Sequence, residues 1–438
     1  MADLTHSRVL HIAVPIVLAN ATIPVLGLVD TGVVGQMGQA APIGAVGIGA
    51  VILTGLYWIF GFLRMGTTGF AAQAIGQGDG AESAAILSRA LGIAALGGLL
   101  IIALQGPLFR LGFWASPAST EVETLAQQYM AIRVWSAPAL ISLYAITGWL
   151  IAAERTRAVL VIQFWMNGLN IGLDLLFVLG LGWGVQGVAV ATLIAELSGA
   201  ALGLWFCRDA FRSPAWRDLS RLTDPAKLRR FASVNSDILL RSLMLQSIFM
   251  SFLFFGAKFG DVRLAANHIL LQFIAVTAYA MDGFAFAAET LVGQAMGAKR
   301  RAAFRRAAVL VSLWCFGAAL VLALVFAVFG GAIIDLMTTA PDVRAQARAY
   351  LVYMALSPLV SAAPFMLDGI FIGATRTKDM RNMMALSALV YFVAALALMP
   401  VFGNHGLWVA LIISYLARAA TLGARYPALE RSVSEGAA

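Results

Sequence analysis

Asp174 follows Asn170 by four residues, so on an α-helix the carboxylate and the amide share one face, a turn apart. Asp30 lies in the outer part of the first apolar stretch, and Thr192 lies near the start of the stretch that returns after Asp174. All four reach a similar depth, so two carboxylates, an amide and a hydroxyl from three stretches can converge. Oxygen ligands of this kind suit a hard monovalent cation. Two neighbouring buried carboxylates also hold a shared proton, because the second charge is strongly disfavoured. Asp30, Asn170, Asp174 and Thr192 therefore form a candidate H⁺ or Na⁺ site; the other reading is a set of hydrogen bonds that only ties three helices together. Pro15 and Pro24 precede Asp30 in the same stretch, and each removes a backbone hydrogen bond. Pro15 is thus a candidate hinge, a static kink being the alternative.

The second half of the chain carries a different polar set. Asp237 and Arg241, spaced i, i+4, read as an ion pair along one helix. Asp282, Glu289 and Asp368 fall at inner depths, where with Asp237 and Arg241 they make a candidate gate or structural network, a second cation site being the alternative. Glu196 is mid-stretch; a cationic substrate, Arg64 or Asn20 are its candidate neighbours.

These side chains stand out because of the medium around them. Of 438 residues, 61% are hydrophobic and only 12% charged, with mean hydropathy +0.86; a soluble domain carries roughly 25% charged residues. A soluble globular protein is excluded. At about 20 apolar residues per crossing plus a loop, the length accommodates about a dozen crossings, and apolar stretches place them at about 11–34, 45–72, 88–110, 124–152, 158–180 and 186–206. The second set falls at about 231–256, 264–291, 305–332, 345–372, 381–401 and 405–425. An ionisable group inside such a span costs at least about 2.5–3.5 kcal/mol, which makes each one a candidate site.

The longest polar interruption, from Arg208 to Arg230, follows the sixth span and is rich in arginine. It divides the chain into a first lobe, 1–206, a basic linker, 207–230, a second lobe, 231–425, and a tail, 426–438. An even number of spans per lobe puts both termini and the linker on one side. That side also collects Arg89, Arg155, Arg157, Lys299, Arg300, Arg301, Arg305, Arg306, Arg376, Lys378 and Arg381, while Arg110, Arg133, Lys258, Arg263, Arg344 and Arg348 fall at the other. The bias predicts cytoplasmic termini. The basic residues form loops rather than a nucleic-acid-binding face. The first apolar run lacks a cleavage pattern and is expected to remain as the first span.

A shift of 221 residues superposes Gln73-Ala74-Ile75-Gly76 on Gln294-Ala295-Met296-Gly297, Tyr129 on Tyr350, Ser136 on Ser357, Gly148 on Gly369 and Arg155-Thr156 on Arg376-Thr377. A duplication follows. The expected architecture is an all-α membrane protein of twelve transmembrane helices in two six-helix lobes, related by a pseudo-two-fold axis along the membrane normal. Under the same shift Asp30 and Asp174 fall on Ser251 and Ala395, so the acidic site belongs to the first lobe alone. With no base expected at that depth in the first lobe, the acids stand uncompensated.

Enzyme machinery is missing from the pattern: no GxxxxGK[ST] loop, HExxH or GxSxG occurs, and His6, His11, His268 and His405 are scattered. Cys207 and Cys315 are too isolated for a metal site and read as packing residues. No organic cofactor is indicated, and a secondary transporter fits best.

Pro15 followed by Asp30-Thr31 and Val34-Gly35, the QAIG and QAMG turns, and Asn170-Ile171-Gly172-Leu173-Asp174 followed by Gly187 and Thr192 resemble the multidrug and toxic compound extrusion (MATE) family, and within it the DinF-type subfamily, over roughly residues 8–425. The resemblance implies an antiporter of the bacterial inner membrane that works as a monomer in the lipid bilayer. It would export amphipathic, often cationic compounds in exchange for H⁺ or Na⁺ by alternating access. It also implies that Asp30 is the essential helix-one carboxylate, that Asn170, Asp174 and Thr192 are cation-binding residues, and that helix one bends at Pro15. Asp368 resembles an acid used in a second-lobe site. A flippase for lipid-linked precursors is the alternative on the same plan.

Overall fold

The computed structural model describes residues 4–36, 39–115 and 118–433, with the side chains at 25–28, 30 and 31 outside that description. The described residues form helices α1 (His6–Ala21), α2 (Ile23–Gly35), α3 (Ala40–Trp58), α4 (Phe62–Gly76), α5 (Gly80–Ala103), α6 (Gln105–Ala115), α7 (Thr120–Arg133), α8 (Ala137–Ala152), α9 (Thr156–Asp174) and α10 (Gly184–Phe206). They continue with the short α11 (Leu219–Leu222), then α12 (Pro225–Ala257), α13 (Asp261–Gly297), α14 (Arg301–Met337), α15 (Pro341–Gly373), α16 (Thr377–Phe402) and α17 (Asn404–Arg431). Among the described residues, 11 helical stretches are long and apolar enough to cross a membrane. Single 3₁₀ turns, Ile59–Gly61 and Val134–Ser136, fuse α3 with α4 and α7 with α8 into two of them.

The remaining expected crossing, the first, is split in two. At Thr22 the backbone N–H and the hydroxyl both donate to the Ala19 carbonyl, at 3.2 and 2.7 Å. Pro24 then opens α2 in its first turn, where a missing N–H has no helical partner to lose. Pro15 lies inside α1, and the interruption falls beyond it.

Two compact units are defined by backbone contacts. The N-unit holds Leu18–Ile75 and Asp79–Arg229; the C-unit holds the chain up to Val17, Gly76–Gly78 and everything from Arg230 onward. Helix α1 therefore passes from one unit into the other at Val17–Leu18. Its first part packs in the C-unit, where a Cβ on Gly283 of α13 would meet the Ala13 carbonyl at 2.8 Å.

The duplication is visible in each unit separately. In the N-unit a Cβ on Gly148 would come within 2.4 Å of the Arg64 carbonyl; in the C-unit a Cβ on Gly369 would come within 2.5 Å of the Ala285 carbonyl. Ser136 donates to the Arg133 carbonyl at 2.8 Å, and Ser357 to the Met354 carbonyl at 3.2 Å. Each pair is separated by the same shift that aligned the sequence halves. Such glycine contacts let helix backbones approach closely, which drives packing in lipid where the hydrophobic effect does not. The QAIG and QAMG turns serve the same end, since a Cβ on Gly76 would overlap the Gln294 carbonyl, at 2.0 Å.

Candidate functional site

In the N-unit, α9 presents Asn167, Asn170 and Asp174 on one buried face, at 7%, 1% and 0% exposure. The Asn170 amide donates to the Thr192 hydroxyl of α10 at 3.2 Å, and that hydroxyl donates to the Val188 carbonyl at 3.0 Å. Asn167 donates to the Thr22 hydroxyl at 2.8 Å and accepts from Gln163 at 3.0 Å. The face of α9 thus engages both α10 and the break in helix one. Asn170 and Thr192 are brought into contact, and Asp174 shares the buried face of α9 with Asn170; Asp30 lies on α2, but its side chain is outside the described residues. Asn167 and Thr22 were missed. Asn167 stands three residues before Asn170, the other spacing that keeps two residues on one face, and could have been found that way.

Immediately after Asp174 the helix changes form. Leu175–Gly180 is a π-helix, with the Leu181 N–H bonding the Leu176 carbonyl at 2.9 Å. Phe177 then stacks on Trp183, centroids 4.8 Å apart.

The assignment of Arg133 to the outer loops and helix ends is corrected. Arg133 sits where α7 turns into α8, inside the continuous Thr120–Ala152 crossing rather than at an outer end. Its guanidinium pairs with Glu196 at 3.2 Å and donates to the Tyr129 hydroxyl at 2.8 Å, while its carbonyl accepts from Tyr57 at 3.4 Å. Glu196 is one turn beyond Thr192 on α10, so its neighbour is Arg133, which had not been considered for it. Each charge answers the other. Glu196→Gln would leave the Arg133 guanidinium buried without its counter-charge, a change worth about 3–5 kcal/mol of stability. Thermal unfolding in detergent should therefore show a large fall in midpoint, partly recovered by adding Arg133→Met; an unchanged midpoint would contradict the pairing.

The linker is folded onto the N-unit. Glu82 of α5 receives Arg89 at 2.8 Å, Lys227 at 2.6 Å and Arg221 at 3.5 Å, and Arg89 also donates to the Arg221 and Leu222 carbonyls. Arg155 donates to Asp209 at 2.6 Å, a hydrogen bond that holds the Asp209 carboxyl below the usual range. Burial pushes the Cys207 thiol up to about 12, in keeping with a packing role.

In the C-unit the intrahelical Asp237–Arg241 pair is replaced by longer-range ones. Asp237 accepts from Arg381 at 2.6 Å and from the Thr377 hydroxyl at 3.2 Å, whereas Arg241 pairs with Asp368. A second guanidinium, Arg418 of α17, pairs with the same Asp368 oxygen. Arg381 was read as a loop charge and Arg418 was missed; 144 and 50 residues separate them from their acids, and no local spacing signals such contacts. Asp282 is partly buried and Glu289 fully buried on α13. Deeper toward the other end, Asn267 and Asn404 exchange amide hydrogen bonds at 2.8 and 2.9 Å, with the Trp408 indole joining at 3.0 Å.

An all-helical bundle with many apolar crossings, two repeated halves and buried carboxylates inside the crossings defines a class rather than a reaction. A sequence model of the MatE family matches residues 15–176 and again 238–396, and the chain belongs to that family of membrane transporters. The two matches are displaced by about 220 residues, in register with the internal repeat. Among curated proteins the chain is 36% identical to the DNA damage-inducible protein F of Escherichia coli, over 97% of this chain and 93% of that protein. It is 26% identical to a probable multidrug resistance protein NorM of Synechococcus, over 91% and 89% of the two chains. The fold is that of the Vibrio cholerae MATE transporter VcmN, with TM-score 0.87 and 21% identity over 98% of this chain and 97% of that one.

Proposed function

We propose that the chain is a secondary active antiporter that exports amphipathic, often cationic compounds in exchange for H⁺ or Na⁺, and that the ion is taken up by Asp174, Asn170 and Thr192 together with Asp30. One observation carries the reading: Asp174 is fully buried on the face of α9 that also presents the Asn170–Thr192 amide–hydroxyl pair. A carboxylate kept at such a position is a functional group by default, because its burial is costly. The multidrug-resistance relatives favour the same direction.

The mechanism is competition. An ion on the carboxylates disfavours bound cationic compound, and the reciprocal coupling lets inward ion movement drive export. Each charge moving down the membrane potential supplies about 2.3 kcal/mol per 100 mV, plus any concentration term. Pro15 and the break at Thr22 are where helix one would bend as the ion binds. The charge bias of the basic linker and loops supports a bacterial inner-membrane protein with both termini on the cytoplasmic side, working as a monomer. A flippase for lipid-linked precursors needs basic groups available to a phosphate in a cavity deep within the bundle. Arg133 is engaged by Glu196, and Arg241 and Arg418 by Asp368, which favours export.

The test is efflux from proteoliposomes under separately imposed H⁺ and Na⁺ gradients. At least one gradient should drive efflux, and Asp30→Asn should abolish it while the protein still folds; full efflux by the variant would overturn the assignment.

A further inference from the structure

At one end of the C-unit, a groove of about 530 Å³ opens between the start of α14 and the end of α17. Arg301, Arg305 and Arg306 line it, with Val309 and Leu310 beneath them and Glu430 at its edge. Arg301 pairs with Glu430 at 3.4 Å, whereas Arg305 and Arg306 enter no ion pair among the described residues. Three guanidiniums against one carboxylate leave a local charge surplus of two.

The helix below the groove continues the same pattern. Arg301, Arg305, Val309 and Leu313 succeed one another at i+4 and so lie along one face. Val309 and Leu313 are 57% and 60% exposed, and Phe316 and Leu320 carry the exposed apolar surface onward. At 1.5 Å per residue, Val309 to Leu320 covers about 16 Å, close to half of a hydrocarbon core about 30 Å thick. Cationic heads above an exposed apolar stripe one leaflet long match a molecule with an anionic head and long acyl chains.

We propose that this groove is a binding site for an anionic phospholipid of the basic-side leaflet, its phosphate held by Arg305 and Arg306 and its chains lying along Val309, Leu313 and Leu320. The free phosphate that shares the headgroup chemistry would not use the stripe. Basic pockets between membrane helices recognise anionic headgroups in this manner, each arginine contributing severalfold in affinity.

The full-length protein in neutral detergent is titrated with phosphatidylglycerol, phosphatidylcholine and inorganic phosphate, and bound lipid is counted by native mass spectrometry. Phosphatidylglycerol should bind at least about tenfold tighter than phosphatidylcholine. The double variant Arg305→Gln/Arg306→Gln should lose about tenfold or more, and Arg305→Lys/Arg306→Lys should keep most of the affinity. Removing equal charge from the linker, Arg217→Gln/Arg229→Gln, should leave binding within about twofold if the groove is specific. Val309→Asn/Leu313→Asn should weaken phosphatidylglycerol without affecting phosphate. Equal affinity for the two lipids would overturn the site, as would equal loss in the linker variant or displacement of phosphatidylglycerol by millimolar phosphate. All the substituted side chains are exposed, and matching thermal midpoints identify the variants that remain folded.

Discussion

Asp174→Asn is expected to reduce ion-driven efflux from proteoliposomes to the level of empty vesicles while leaving the thermal midpoint close to that of the native protein. Asn is nearly isosteric with Asp and can remain in the helix between Asn170 and the following turn. What it cannot do is gain and lose a proton, or supply a negative oxygen to Na⁺. A strong fall in stability together with lost efflux would point instead to a structural tie. Efflux retained at a tenth of the native rate or more would remove Asp174 from the coupling machinery. Thr192→Ala provides the graded control. It deletes one ligand and the acceptor of the Asn170 amide, so it should weaken coupling without abolishing it.

The second large effect is expected at Asp368, and there it falls on folding. Asp368 lies between Arg241 and Arg418, with all three side chains at least nine-tenths buried. Asp368→Asn leaves two guanidiniums facing each other without their counter-charge, a loss of about 3–5 kcal/mol by the cost of breaking a buried pair. Arg418→Met should be milder, since one cation and one anion remain. Folded yield and thermal midpoint measure both variants. Efflux per folded molecule should be impaired less by Asp368→Asn than by Asp174→Asn, because a carboxylate already held by two arginines is poorly placed to exchange a coupling cation. The reverse order would move the ion site into the C-unit.

The two halves of that contrast differ in how far the sequence could reveal them. Asn170 and Asp174 are related by helical periodicity, and Thr192 by the depth at which the next helix returns; local geometry sufficed. The overall helical plan and the duplication were legible for a similar reason, since hydropathy and a constant shift are one-dimensional signals. Arg133 was counted with the charges of the outer loops and helix ends, although the span at 124–152 runs on through the segment Arg133-Val134-Trp135-Ser136. A single 3₁₀ turn carries the chain through it without leaving the helical path. The charge pairs of the C-unit went unread because tertiary packing overrode the nearer i, i+4 partner. Asp237 turns to Arg381 and Arg241 to Asp368, where neutralisation comes from neighbouring helices. Likewise, two prolines announced an irregular first helix, but Thr22, which fixes the position of the break, has no signature of its own.

The π turn that follows Asp174 has a consequence for how the acid's surroundings could be re-registered. Such a turn is an α-helix holding one surplus residue, and its i+5 hydrogen bonds mark where that surplus resides. Each helical residue accounts for about 100° of rotation. Moving the surplus by one turn toward the Asp174 side would swing the carboxylate by about that angle about the axis of α9, with no change in chain length and few hydrogen bonds exchanged. Neither a large side-chain movement nor a wholesale tilt of α9 would be needed to expose or hide the charge: the slack is already wound into the helical turn beside it.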